Sequence, residues 1–117
     1  MKAVTLYGIP NCNSVKKGMD WLNQHKIAFT FHNYKKEGVS IEKLQHWCTQ
    51  MGWENLFNTK GTTWKKIAND YSNRKMNEKL AIEIMLENTS IIKRPIIEGN
   101  KKIIVGFDEV AYASIKN

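Results

Sequence analysis

The sequence predicts an α/β fold: a mixed four-stranded sheet with flanking helices and an inserted helical block. Three observations predict it. The first 33 residues run strand, turn, amphipathic helix, strand. The middle, about residues 40–92, carries helical spacing almost throughout. Two short β-branched runs then follow, separated by Gly99-Asn100. At 117 residues and 42% hydrophobic composition, the chain suffices for one domain with one core, spanning residues 1–117.

In residues 2–7, Val4 and Leu6 alternate onto one face, and from Ser14 onward Val15, Met19 and Leu22 recur at helical spacing. Residues 28–33 alternate again with Phe29 and Phe31 on one side, closing a βαβ unit whose two strands are parallel. Ser40 then serves as an N-cap, with Val39 and Leu44 as a hydrophobic staple. The helix that follows has the stripe Ile41, Leu44, Trp47, Cys48 and Met51. Gly52, Asn58 and Gly61 punctuate the next stretch, and helical patterns resume over 63–71 and 77–87. Residues 94–98 and 101–105 read as a hairpin joined by the two-residue loop Gly99-Asn100, of the kind a type II′ turn requires. Asp108 caps a last helix to about Lys116, with Phe107 and Tyr112 in staple positions. In chain order β, α, β, helical block, β, β, α, this is the thioredoxin pattern with an insertion.

Composition narrows the function classes. Two cysteines give neither a disulfide framework nor a paired C-x-x-C zinc spacing, and His25, His32 and His46 form no HExxH-type arrangement, so no metal site is expected. No stretch approaches the roughly 20 apolar residues of a membrane span, and the first residues hold too short an apolar run for a signal peptide. The expected compartment is a reducing cytoplasm. The net charge of +7 is spread over scattered pairs such as Lys16-Lys17 and Lys65-Lys66, which suits solubility, small anions or acidic partners rather than nucleic acid. Trp21, Trp47, Trp53 and Trp64 fall at helical positions, not on a sheet face where bases could stack.

Chemistry concentrates in Leu6-Tyr7-Gly8-Ile9-Pro10-Asn11-Cys12-Asn13-Ser14-Val15, which delivers a cysteine to the start of a helix. A thiol placed there faces free backbone N–H groups and the positive end of the helix dipole, both of which favour a thiolate. Cys12 is therefore the candidate nucleophile. Three residues on stands Val15, so there is no two-cysteine redox pair. A second thiol must come from Cys48, which reads as core, or from outside. Ser14 is expected to cap the helix or to hydrogen-bond the thiolate.

Tyr7-Gly8-Ile9-Pro10-Asn11-Cys12, Asn58-Thr59-Lys60-Gly61-Thr62-Thr63-Trp64, Ile92-Lys93-Arg94-Pro95 and Val105-Gly106-Phe107-Asp108 together resemble the arsenate reductase (ArsC)/Spx family, and within it the YffB-like branch. Four separated segments in the right order, over nearly the whole chain, carry the resemblance. It implies a thioredoxin fold with a helical insertion, a nucleophilic Cys12 and a cis peptide before Pro95. It also implies backbone beside the thiol able to pair with a thiol peptide such as glutathione.

In the family's arsenate reductases the thiolate attacks an oxyanion held by three arginines, and the matching positions here are Lys60, Arg94 and Phe107. Arg94 keeps the bidentate fork, Lys60 keeps only the charge, and Phe107 removes the third donor. The resulting expectation is a monothiol reductase with no bound cofactor and glutathione, or another small thiol, as co-substrate. Asn11, Asn13, Ser14, Lys60, Arg94 and Pro95 would surround the ligand. Two alternatives remain: an arsenate reductase with a weak oxyanion site, and an Spx-like regulator whose partner is RNA polymerase.

Overall fold

The computed structural model describes residues 3–99 and 102–115. They divide into two compact units, one formed by the chain up to Glu37 together with the segment from Arg94 onward, the other by Gly38–Lys93.

The first unit contains the sheet. β1 (Val4–Gly8), β2 (Phe29–Asn33), β3 (Ile96–Glu98) and β4 (Ile104–Val105) lie in the order β2-β1-β3-β4. β1 pairs parallel with β2 and antiparallel with β3, and β3 pairs antiparallel with β4. The mixed four-stranded α/β sheet is thus the expected one, although the hairpin strands are shorter than their apolar runs. The loop residues Asn100 and Lys101 and the helix end at Lys116 lie outside the described residues.

α1 (Asn13–Gln24) packs on one sheet face, where Val4, Leu6, Val15, Leu22, Ile97 and Tyr112 belong to one buried cluster, with Phe29 and Phe31 against it. The period-2 faces of the strands and the 3.6-residue stripe of the helix meet there. α2 (Tyr34–Glu37) was not legible from apolar spacing. Its start is polar: Asn33 Oδ1 accepts from the N–H groups of Lys35 at 2.9 Å and Lys36 at 3.3 Å, an N-cap signal that strand alternation hides.

The inserted unit contains α3 (Ile41–Met51), α4 (Trp53–Leu56), α5 (Thr62–Ile67) and α6 (Glu78–Glu87). Ser40 caps α3 through its hydroxyl, which accepts from Lys43 N–H at 3.1 Å, and Asn77 caps α6, accepting from Leu80 N–H at 2.9 Å. Leu44, Trp47 and Cys48 are buried as the α3 stripe predicts, but Ile41 is 43% exposed because a first-turn residue extends past the packed part of the stripe. α4 escapes the pattern, being a single turn.

Back in the sheet unit, α7 (Glu109–Tyr112) starts at Asp108, whose carboxylate accepts from Val110 and Ala111 N–H groups, and it continues as a 3₁₀ turn, Ala113–Ile115. The expected staple is present: the Phe107 and Tyr112 rings meet edge to face at 5.4 Å.

Two glycines set how closely α1 approaches the sheet. A Cβ on Gly8 would lie 2.5 Å from Val15 Cγ2, and one on Gly18 would lie 3.3 Å from both Leu6 Cδ1 and Pro95 Cγ. Gly8→Ala should therefore lower stability by about 1–3 kcal/mol, the range for overpacking a core. Since Val15 supplies the clash, urea denaturation of Gly8→Ala/Val15→Ala should show less destabilisation than the sum of the single variants.

Candidate functional site

The chain leaves β1 at Gly8 and reaches α1 through Ile9, Pro10 and Asn11, a turn in which Pro10 and Asn11 are exposed. Cys12 is the N-cap of α1: its backbone is extended at φ −134°, ψ 124°, and its carbonyl accepts from Lys16 N–H at 3.0 Å. Its side chain makes no capping hydrogen bond. Ser14, expected as a possible cap, instead occupies the second helical position and is exposed; the turn ends two residues earlier because Val15 must tuck against Gly8. Asn13 is exposed beside it. The first turn of α1 carries no acidic residue, and Lys16 and Lys17 are exposed just beyond it. A partly buried thiol thus stands among first-turn N–H groups that its own side chain leaves to other acceptors, an arrangement suited to holding an anion. Cys12 and Phe107 both pack, partly buried, against the core on the α1 side of the sheet.

The Arg94–Pro95 peptide is cis, as the family resemblance implies. Pro95 is buried against the backbone of Gly18, and its carbonyl accepts from Gly106 N–H at 2.7 Å. Tyr112 secures the same corner. Its hydroxyl donates to Gly106 O at 3.0 Å and its ring meets Trp21 edge to face at 5.4 Å. Burial, and then the Asp108 carboxylate, push its phenol well above the usual range. Tyr112 was legible only as a staple; its role in fixing the Gly106-Phe107 segment depends on a contact six residues back in the chain.

The opposite sheet face carries polar groups beside buried Ile96. The Tyr7 hydroxyl donates to Glu98 Oε1 at 2.9 Å, the His32 ring lies 4.7 Å from that of Tyr7, and Tyr34 stacks on Tyr7 at 6.2 Å. Arg94 is partly buried, with its Nε sealed from solvent. Glu98 and His32 are not singled out by the sequence as site residues, since a polar position in an alternating strand ordinarily faces water, and Tyr34 heads a single-turn helix with no period to place it.

In the inserted unit, Lys60 is exposed in the loop over 58–61, its N–H donating to Asn58 Oδ1 at 3.1 Å. Phe57 forms a bridge with Ile92, flanked by Asn58 N–H to Ile91 O and Lys93 N–H to Leu56 O, both at 2.7 Å. The starts of two of the four motif segments therefore lie side by side within this unit, and the second runs directly into Arg94. Cys48 lies in the core of the unit at 4% exposure, and burial together with Glu78 pushes its thiol up to about 11.

A four-stranded mixed sheet, a cysteine at the start of the first helix and a cis-proline on the neighbouring strand define a thioredoxin-like protein. The chain belongs to the ArsC family, whose profile matches residues 7–115. Among solved structures it is similar to a YffB protein, at 41% identity and a TM-score of 0.89 over 95% of this chain and 96% of that one. An arsenate reductase (ArsC) related protein from Brucella melitensis is 43% identical, with a TM-score of 0.74 over 98% and 96% of the two chains. The global transcriptional regulator Spx 1 of Lactococcus lactis is 32% identical over 91% of this chain and 83% of its own.

The two thiols should behave differently. Cys48 has a folded-state value of about 11 against an ordinary 9.0, so the native state retains its proton where the unfolded chain loses it. The associated stability is complete below about pH 9 and is lost as pH rises through about 11. Denaturation measured across that window should show a decline that Cys48→Ala flattens. Iodoacetamide at neutral pH should label Cys12 and spare Cys48 until the protein is unfolded.

Proposed function

We propose that this protein is a glutathione-dependent monothiol reductase acting in a reducing cytoplasm, with Cys12 as its nucleophile. The observation that carries the reading is the setting of Cys12: partly exposed, at the N-cap of a 12-residue helix, with buried Val15 where a second cysteine would stand. Cys48, buried and hard to ionise, is a poor resolving thiol. The second thiol therefore comes from solution.

The reaction follows from that constraint. The Cys12 thiolate attacks the glutathione sulfur of a mixed disulfide; a new S–S bond forms, the old one breaks, and the substrate leaves as a thiol after taking up a proton. A second glutathione thiolate then attacks the glutathione sulfur on Cys12, releasing the Cys12 thiolate and oxidised glutathione. In sum, one mixed disulfide and one glutathione give one reduced substrate thiol and one oxidised glutathione. Arg94 binds a glutathione carboxylate through its fork and Lys60 adds charge, while Asn11, Asn13 and Ser14 offer polar groups around the thiol and Pro95 an apolar wall. Reduction of arsenate is disfavoured by Phe107, an apolar ring where the family's arsenate reductases have their third arginine.

The similarity to Spx 1 supports a second reading, a regulator that contacts RNA polymerase and turns nothing over. Mass spectrometry after exposure to oxidised glutathione separates the two. The wild type and Cys48→Ser should each gain one glutathione, which added reduced glutathione removes, whereas Cys12→Ser should gain none. An unmodified wild type would favour the regulator.

Charge-assisted hydrogen bonds contribute roughly 1.5–3 kcal/mol, so Arg94→Ala should weaken glutathione binding about tenfold or more. Lys60→Ala, removing a point charge without a fork, should cost less in the same calorimetric titration.

A further inference from the structure

One buried polar group has no role in the reaction described above. Tyr34 follows β2 directly, and because Gly8 is registered opposite Asn33, it stands at the end of the sheet where β1 gives way to the Cys12 turn. β3 begins at that same end, since Tyr7 is opposite Ile96, so Arg94-Pro95 enters the sheet there too. The Tyr34 side chain is 1% exposed, held by the stack on Tyr7 and by the edge of His32 at 6.4 Å. Its hydroxyl is buried without a hydrogen-bond partner among the described residues.

Such a group is costly, because its hydrogen bonds to water are lost and not replaced. Phenylalanine would fill nearly the same space without the penalty, and Phe29 and Phe31 do so on the preceding strand. The neighbouring phenol, Tyr7, is by contrast bonded to Glu98. What surrounds the Tyr34 hydroxyl indicates the partner it lacks. Burial and then Tyr7 drive the phenol well above its usual range, while the Arg94 guanidinium pulls the other way, so the hydroxyl remains a neutral O–H donor within the field of that cation. Arg94 is partly exposed, so an anion can reach its guanidinium from solvent at the end of the sheet where Tyr34 also lies.

We propose that the Tyr34 hydroxyl is the uncharged hydrogen-bond donor of the Arg94 anion site, completed when a carboxylate of a thiol peptide or a free tetrahedral oxyanion docks on the guanidinium. The inference rests on the reading of Arg94 as an anion binder. It adds a donor on the sheet side of the ligand, in a site where Phe107 supplies none.

Calorimetric titration tests it with two probes: S-methylglutathione, which carries the carboxylates but cannot exchange disulfides, and inorganic phosphate as the oxyanion. Tyr34→Phe should weaken binding of whichever probe the wild type takes up by about five- to tenfold, while its melting temperature holds or rises because the unpaired hydroxyl is gone. A loss confined to S-methylglutathione identifies the carboxylate as the ligand group; a loss confined to phosphate identifies the oxyanion. Wild-type affinity of Tyr34→Phe for both probes, with binding still lost in Arg94→Ala, overturns the role of Tyr34 and leaves Arg94 in place. Unchanged binding in Arg94→Ala, or a wild type that takes up neither probe, overturns both. A lower melting temperature for Tyr34→Phe would show that the hydroxyl is already bonded in the free protein and would also overturn the proposal.

Discussion

The sheet unit depends on the close approach of α1 to β1 and β3. Gly8 leaves room for the Val15 methyls, and Gly18 for Leu6, Pro95 and the Tyr112 hydroxyl. A helix held this near the sheet has little freedom to slide or rotate, since interiors pack at crystal-like density. The position of its first residue follows. Cys12 stands at the N-cap because Val15, three residues on, must lie under Gly8, and the corner at Pro95, Gly106 and Tyr112 is fixed from the other side by the same contact.

The same sequence treats its two cysteines in opposite ways, and the difference is one of surroundings. Cys12 ends a turn and meets backbone N–H groups; Cys48 lies in an apolar stripe and meets burial and a carboxylate. Neither neighbourhood includes a second cysteine close in sequence, so the pair divides into one partly exposed thiol at a helix start and one packing residue. The sheet divides similarly: one face is an apolar bed for α1, and the other holds Tyr7, His32, Tyr34 and Glu98 in contact or hydrogen-bonded to one another.

What could be read beforehand was what repeats or caps locally. The alternation of Val4 and Leu6, the stripe through Leu44, Trp47 and Cys48, and the caps Ser40 and Asp108 all correspond to observed structure. Single-turn helices such as 34–37 and 53–56 were missed because one turn is too short to establish a period. The cis bond before Pro95 came from the family resemblance alone; nothing local distinguishes that proline. Tyr112 and Tyr34 were underread for a different reason. Each matters through its hydroxyl, whose partner or lack of one depends on how distant segments meet, and hydrophobic spacing records only where the ring goes.

The pairing of β1 has a temporal implication. On one side it meets β2, some 25 residues away, but on the other its partner is β3, with Thr5 opposite Glu98. A chain emerging from the ribosome can form the β1–α1–β2 crossover early, yet the inner edge of β1 stays open through synthesis of the whole insertion. Contacts of such long sequence separation carry a large loop-closure entropy and form late. The inserted unit, whose contacts are contiguous, has the chance to condense first and shorten the effective loop. The corner where the Cys12 turn meets Pro95 is thus among the last parts of the molecule to assemble, and through synthesis of the insertion β1 has a strand partner on one side only, an open edge of the kind that makes incomplete folds prone to aggregate.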